Sequence, residues 1–234
     1  MSADRVVRRI PPALHAYGAR EMHWPPGFAL RPVASVRDWI CHSSRQGCAV
    51  LLSNGLTSYE IDVALTALAA SSTDLGIIAL APRATHANLT LIHQVDFIVA
   101  QETASGLATC IPAAIRLAVS PLVRSTYIAG VSGVLRDAIA DSLVEEKRFC
   151  SVAGIARNVN CHPNTLRKHW RQGRIKGVPR LEDFVWLVAI EYARRLLCAG
   201  YSVRDTTELI GCTAVALRRR EGDLLRRCAS GLVG

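Results

Sequence analysis

A twenty-residue phrase occurs twice in this chain, and a duplicated phrase of that length limits the fold more than any other property of the sequence. SVAGIARNVNCHPNTLRKHW begins at Ser151 and returns as SVRDTTELIGCTAVALRRRE at Ser202, an offset of 202 − 151 = 51 residues. Ser, Val, Cys, Leu and Arg recur at matching places, 151/202, 152/203, 161/212, 166/217 and 167/218. The chain therefore uses one supersecondary unit twice within residues 151–221.

Each copy reads as a helix, a tight turn and a second helix. Ser151 and Ser202 suit the N-cap of the first helix, where a hydroxyl accepts a backbone N–H. Ile155, Ala156 and Val159 form one apolar face in the first copy, and Leu209 and Ile210 close the second. Asn160 and Gly211 then hold the same place, and these residue types best tolerate a left-handed turn. Cys161 and Cys212 follow as small apolar plugs. Pro163 suits a first helical position and Thr213 an N-cap, so a second helix starts in each copy, anchored inward by Leu166 or Leu217. Asn164, Thr165, Arg167, Lys168 and Arg171 are left outward in the first copy, and Val215, Arg218 and Arg219, with Arg220, occupy the same region of the second.

A short helix, a turn on Asn or Gly, and a second helix rich in Arg, Asn and Thr is what reading a major groove requires. These residues resemble the AraC-type DNA-binding domain, whose two helix-turn-helix motifs are joined by a long helix. The match rests on the small residue of each first helix (Ala156, Thr207), the turn and the Leu166-Arg167 and Leu217-Arg218 pairs, and it spans roughly residues 135–225. It departs from the family pattern at Asn160, Thr207 and Cys212. Between the copies, residues 181–199 put Phe184, Val185, Val188, Ala189, Tyr192 and Leu196 on one stripe, with Gly200 placed to stop the helix. Such a helix is roughly 28 Å long, close to the roughly 34 Å between successive major grooves on one face of DNA. The expected DNA contacts are Asn164, Thr165, Arg167, Lys168, Arg171, Val215, Arg218 and Arg219, where an Arg can meet either a base edge or a phosphate.

Charge points the same way. Residues 145–234 hold 17 Lys+Arg against 9 Asp+Glu, so +8 of the chain's +9 lies with the repeat, where a polyanion uses it. The eight cysteines form no C-x-x-C pair and no zinc spacing, and buried reduced thiols are the simplest reading of them, with redox sensing or metal binding as the alternative. The opening MSADRVVRRIPP has no apolar core of the secretory kind, and no run approaches the roughly 18 apolar residues of a membrane span. A cytoplasmic, bacterial protein is expected.

The N-terminal half has a different grammar. RVVRRI at residues 5–10 suggests a short strand or extended arm, whose Arg5, Arg8 and Arg9 belong either to a solvated edge or to a DNA contact. AVLLS (49–53), GIIAL (76–80) and DFIVA (96–100) are apolar runs of strand length, as buried parallel strands require. Between and after them lie helical stretches at 58–70, 84–92 and 105–117, the last with Pro112 as a kink or break. A further helix is expected at 135–147. This alternation predicts a parallel sheet with helices on both faces.

The order resembles the receiver domain of response regulators, best over residues 48–119, with an unrelated small α/β domain as the alternative. The resemblance implies an acceptor carboxylate, a hydroxyl and a Lys at strand ends, but the matching positions are Ser53, Ala81 and Ala100. Without nucleophile or metal-binding acids, phosphotransfer cannot run. No other catalytic grouping emerges. His162 and His169 are read as capping or phosphate-contact residues rather than metal ligands, and Glu145-Glu146 and Glu182-Asp183 as solvated helix ends. No nucleotide-binding loop or nucleophile motif is present. Trp170 and Trp186 are expected in the core.

The sequence thus predicts an α/β regulatory domain at residues 1–124 and an all-α domain at 125–234 with two helix-turn-helix motifs joined by a long helix. The expected function is a sequence-specific transcription regulator, not an enzyme, binding double-stranded DNA and needing neither cofactor nor metal. Its protein partners under this reading are a second copy through the N-terminal domain and RNA polymerase. The rival readings are a one-component sensor with a small ligand in the N-terminal domain, and a mobile-element accessory or adaptor protein.

Overall fold

The computed structural model of the chain describes residues 14–18, 30–53, 56–71, 75–81, 95–100, 104–124, 130–144, 150–173, 178 and 180–231. The chain divides into two compact units, Met1–Ala118 with Arg195–Tyr201, and Val119–Arg194 with Ser202–Gly234.

The first unit is built on strands β1 (Leu14–Tyr17), β2 (Leu30–Val33), β3 (Cys48–Leu52), β4 (Gly76–Ala81) and β5 (Phe97–Ala100). Every pairing is parallel and the order is β2-β1-β3-β4-β5. Parallel strands need crossovers, and among the described residues helices supply two of them. Helix α1 (Val36–Gln46) links β2 to β3, and α2 (Ser58–Ala70) links β3 to β4. The end strand β2 tolerates Pro32 because an edge leaves one row of backbone groups outside the ladder.

Both faces of the sheet's centre are buried, so β3 reads as an uninterrupted apolar run. Ala49, Leu51 and Ala79 meet Trp39 of α1 and Ile61, Ala64, Leu65 and Leu68 of α2 in one cluster. The Trp39 indole N–H donates to the Val50 carbonyl at 2.9 Å, fastening α1 to β3. Ser35 caps α1, and a reciprocal Thr57–Glu60 capping box opens α2. The other face carries Val50, Leu52, Ile78 and Leu80, all fully or nearly fully buried. Helix α3 (Ala104–Arg124) comes so close to β4 that a Cβ at Gly76 would overlap the Ala114 backbone.

Several expectations need revision here. Pro112 does not divide α3, which runs for 21 residues. The Arg116 guanidinium Nε donates to the Pro112 carbonyl inside that helix at 3.2 Å. The strands β1 and β2 and helix α1 extend the sheet beyond the three apolar runs seen in the sequence. The RVVRRI run and the helix at 84–92 lie outside the described residues.

The second unit is helical: α4 (Gly133–Val144), α5 (Val152–Asn158), α6 (Pro163–Gly173), α7 (Leu181–Cys198, whose last turn falls in the first unit), α8 (Val203–Ile210) and α9 (Ala214–Gly231). The repeat offset maps the starts of α5 and α6 onto those of α8 and α9, so the duplicated phrase is also a duplicated pair of helices. Helix α4 packs on α5 and α6, and the Asn158 amide donates to Ser142 Oγ at 3.3 Å. The expected stripe of α7 is buried throughout, from Phe184 to Leu196, and Gly200 (φ 90) follows its end. The chain is thus an α/β unit followed by a mostly helical one.

Candidate nucleic-acid interface

The two turns share a left-handed residue at the same place, and it follows from the sequence. Asn160 (φ 49) and Gly211 (φ 80) both lie in the left-handed region, which glycine enters freely and asparagine more readily than other side chains. The next residue folds back identically in each copy. Cys161 N donates to the Ala156 carbonyl at 2.8 Å, and Cys212 N to the Thr207 carbonyl at 3.0 Å. Thr207 keeps its hydroxyl satisfied by donating to the Arg204 carbonyl at 3.0 Å, so a residue larger than Ala is accommodated there.

Capping is equally matched. Ser151 Oγ accepts from Gly154 N at 3.0 Å and Ser202 Oγ from Asp205 N at 3.1 Å. At the second helices, Thr213 Oγ1 accepts from Ala216 N at 3.2 Å, and His162 Nδ1 does the same for Asn164 N at 3.2 Å. His162 is therefore a capping residue. Leu166, 1% exposed, and Leu217, 9% exposed, anchor the helices inward. The thiols of Cys161 and Cys212 are only half-buried plugs, and burial, then the neighbouring Cys150, raises the Cys212 thiol to about 11. Cys150 Sγ donates to the Gly211 carbonyl at 3.5 Å, so the residue preceding the first copy touches the turn of the second.

With Leu166 and Trp170 turned inward, α6 leaves Asn164, Thr165, Lys168 and Arg171 exposed along one face. Helix α9 exposes Val215, Arg218 and Arg219 in the corresponding register. Seven of the eight expected contact residues thus stand in solvent on two matched helices. Arg167 is the exception. Its Nε donates to Glu182 Oε1 of α7 at 2.8 Å and its Nη1 to Asn164 Oδ1 at 2.9 Å. The carboxylate lies in the first turn of the adjacent helix, where the helix dipole also favours it. Burial pushes the Glu182 carboxyl up, but the Arg167 hydrogen bond, a backbone bond and the charges of Arg167 and Arg180 outweigh this and hold it below its ordinary value.

The expectation of solvated acids at 182–183 therefore fails: Glu182 is half-buried in that ion pair, and Asp183 is buried. Glu145-Glu146 fall outside the described residues. Arg220 is also occupied, lying 5.7 Å from the centre of the Trp186 ring. Trp170 is in the core as expected, packed 5.0 Å from Phe184, whereas Trp186 is only partly covered.

In the first unit, Ser53 follows β3 and donates its hydroxyl to the Leu80 carbonyl at 3.1 Å, while Ala81 and Ala100 end β4 and β5 side by side. Among the described residues no group of three or more metal-ligating side chains occurs, and no helix is long and apolar enough to cross a membrane. The chain matches no protein-family model, no curated protein and no solved structure.

Proposed function

We propose that this chain is a sequence-specific double-stranded-DNA-binding transcription regulator of the AraC type, reading two successive major grooves through α6 and α9. One observation carries the reading: two copies of a helix, left-handed turn and helix expose polar and cationic faces in the same register. The charge surplus of the repeat supports it, since phosphate neutralisation dominates binding to a duplex. So does the connector, because the 18 residues of α7 span roughly 27 Å, near the groove repeat of roughly 34 Å.

The α/β unit is read as a receiver-like shell that serves self-association or a contact with RNA polymerase. Its strand order is the doubly wound order of flavodoxin-like folds. Its strand ends at Ser53, Ala81 and Ala100 carry no acceptor carboxylate or lysine, so acetyl phosphate should leave the protein unlabelled. A cytoplasmic location and the absence of enzymatic activity belong to the same proposal.

The test is fluorescence anisotropy of the full chain with a random 40-base-pair duplex across a salt series. Binding should weaken linearly on logarithmic axes, and Lys168→Ala and Arg219→Ala should each lower the slope by about 1. No binding at low salt, or binding indifferent to salt, overturns the proposal in favour of a protein-binding adaptor. The one-component alternative has its own observation, an open groove of about 530 Å³ beside α2, lined by Asp62, Leu65, Thr66, Ala69, Leu75 and Ile77. A rise in melting temperature on small-metabolite screening, lost in Leu65→Trp, is the outcome that supports it.

A further inference from the structure

The face of α9 holds an apolar side chain that the fold does not use. Val215 is 77% exposed in the first turn of the helix. A β-branched residue is a middling helix former, and at this exposure its methyl groups bury almost nothing, so neither propensity nor packing accounts for it. Its place in the repeat is that of Asn164, which is polar, exposed and in the corresponding turn of α6. Ala216, half-buried, stands where the first copy has the exposed Thr165. Arg219 lies one helical turn further on the same face, and a Cβ at Gly222 would meet nothing within 4 Å, so the surface beyond is open. A groove-facing surface of this kind is apolar at its leading end and cationic one turn later.

We propose that Val215 reads the C5-methyl group of a thymine in the major groove, so that the two copies select different half-sites. The major groove offers one apolar group, the thymine methyl, and short aliphatic side chains are the residues that contact it. Arg219, four residues on, meets a guanine edge or a phosphate beside that thymine. The first copy has no aliphatic counterpart on its exposed face: Asn164, Thr165, Lys168 and Arg171 discriminate through hydrogen bonds and charge. The preferred site is therefore asymmetric rather than a direct repeat. This inference rests on the DNA-binding reading above and adds the base that the second copy chooses.

The experiment selects a preferred duplex from a random library with the full chain, then replaces each thymine in turn by deoxyuridine, which removes only the methyl group. One position should weaken wild-type binding about three- to fivefold, the worth of one buried methyl, and Val215→Ala should abolish that sensitivity. The exposed site predicts an unchanged melting temperature for Val215→Ala. Thymine positions that are all insensitive, or a sensitivity retained in Val215→Ala, overturns the inference while leaving DNA binding intact. Failure to bind any duplex instead removes the underlying reading and the inference with it.

Discussion

Arg167 and Arg218 hold the same position in the two copies, yet they live differently. Arg167 is drawn to Glu182 and Asn164, whereas Arg218 is exposed and, among the described residues, meets no carboxylate within ion-pair distance. Around them the caps, the left-handed turns and the inward leucines agree. The difference separates two kinds of constraint. Positions that close the helix pair are dictated by backbone geometry and burial, so both copies keep them. Positions on the outer faces answer only to whatever is met there, so the shared Arg takes different surroundings and Asn164 and Thr165 give way to Val215 and Ala216.

The largest effect should come from breaking the shared interior. Leu166→Ala is expected to cost about 2–5 kcal/mol on denaturant unfolding, and Leu217→Ala to fall toward the lower end, because Leu217 is less completely buried. Near-neutral substitutions at both sites would refute the claim that the copies share a load on their cores. The next effect sharpens the outer contrast. Arg218→Ala should weaken binding to a preferred duplex by about 1–3 kcal/mol if its guanidinium meets a guanine, and Arg167→Ala by clearly less. Equal losses would mean that Arg167 leaves Glu182 when DNA arrives.

The turns come third. Gly211→Ala and Asn160→Ala should each destabilise by about 1–2 kcal/mol through the left-handed backbone, while Asn160→Gly stays near zero. An alanine accepted at either place would show that the turn can relax.

The smallest effect is electrostatic. The Glu182 carboxyl titrates lower when folded than its ordinary 4.5, so its ion pair contributes fully above that value and fades as pH falls through the folded one. Both partners are over a third exposed, which limits Glu182→Gln to well under about 1 kcal/mol at neutral pH. That deficit should vanish in acid. A deficit that persists once the carboxyl is protonated in the folded chain would assign the cost to packing instead of charge.

The helix pairs were legible in the sequence because their signals are local. A hydroxyl three residues from an amide, an Asn or Gly where φ turns positive, and a Leu facing inward can all be read in a short window. The long α7 was equally clear, since its stripe is unbroken. Helix α1 was not, because its buried positions include Ser43 and Gln46 beside Trp39, and polar residues erase the apolar period. Strands β1 and β2 have four residues each, and their identity comes from pairing with distant partners rather than from LHAY or LRPV. Nor could spacing reveal the Arg167–Glu182 pair, whose members sit on different helices fifteen positions apart.

The nearness of α3 to β4 at Gly76 has a consequence for how this chain can vary. A saturation library spanning the sheet should accept interchange among Val, Ile and Leu at most strand positions, because volume there can be redistributed. At codon 76 even alanine should be purged, since the obstruction is main chain and has no rotamer to give way. That codon would then stand out as a silent gap within β4.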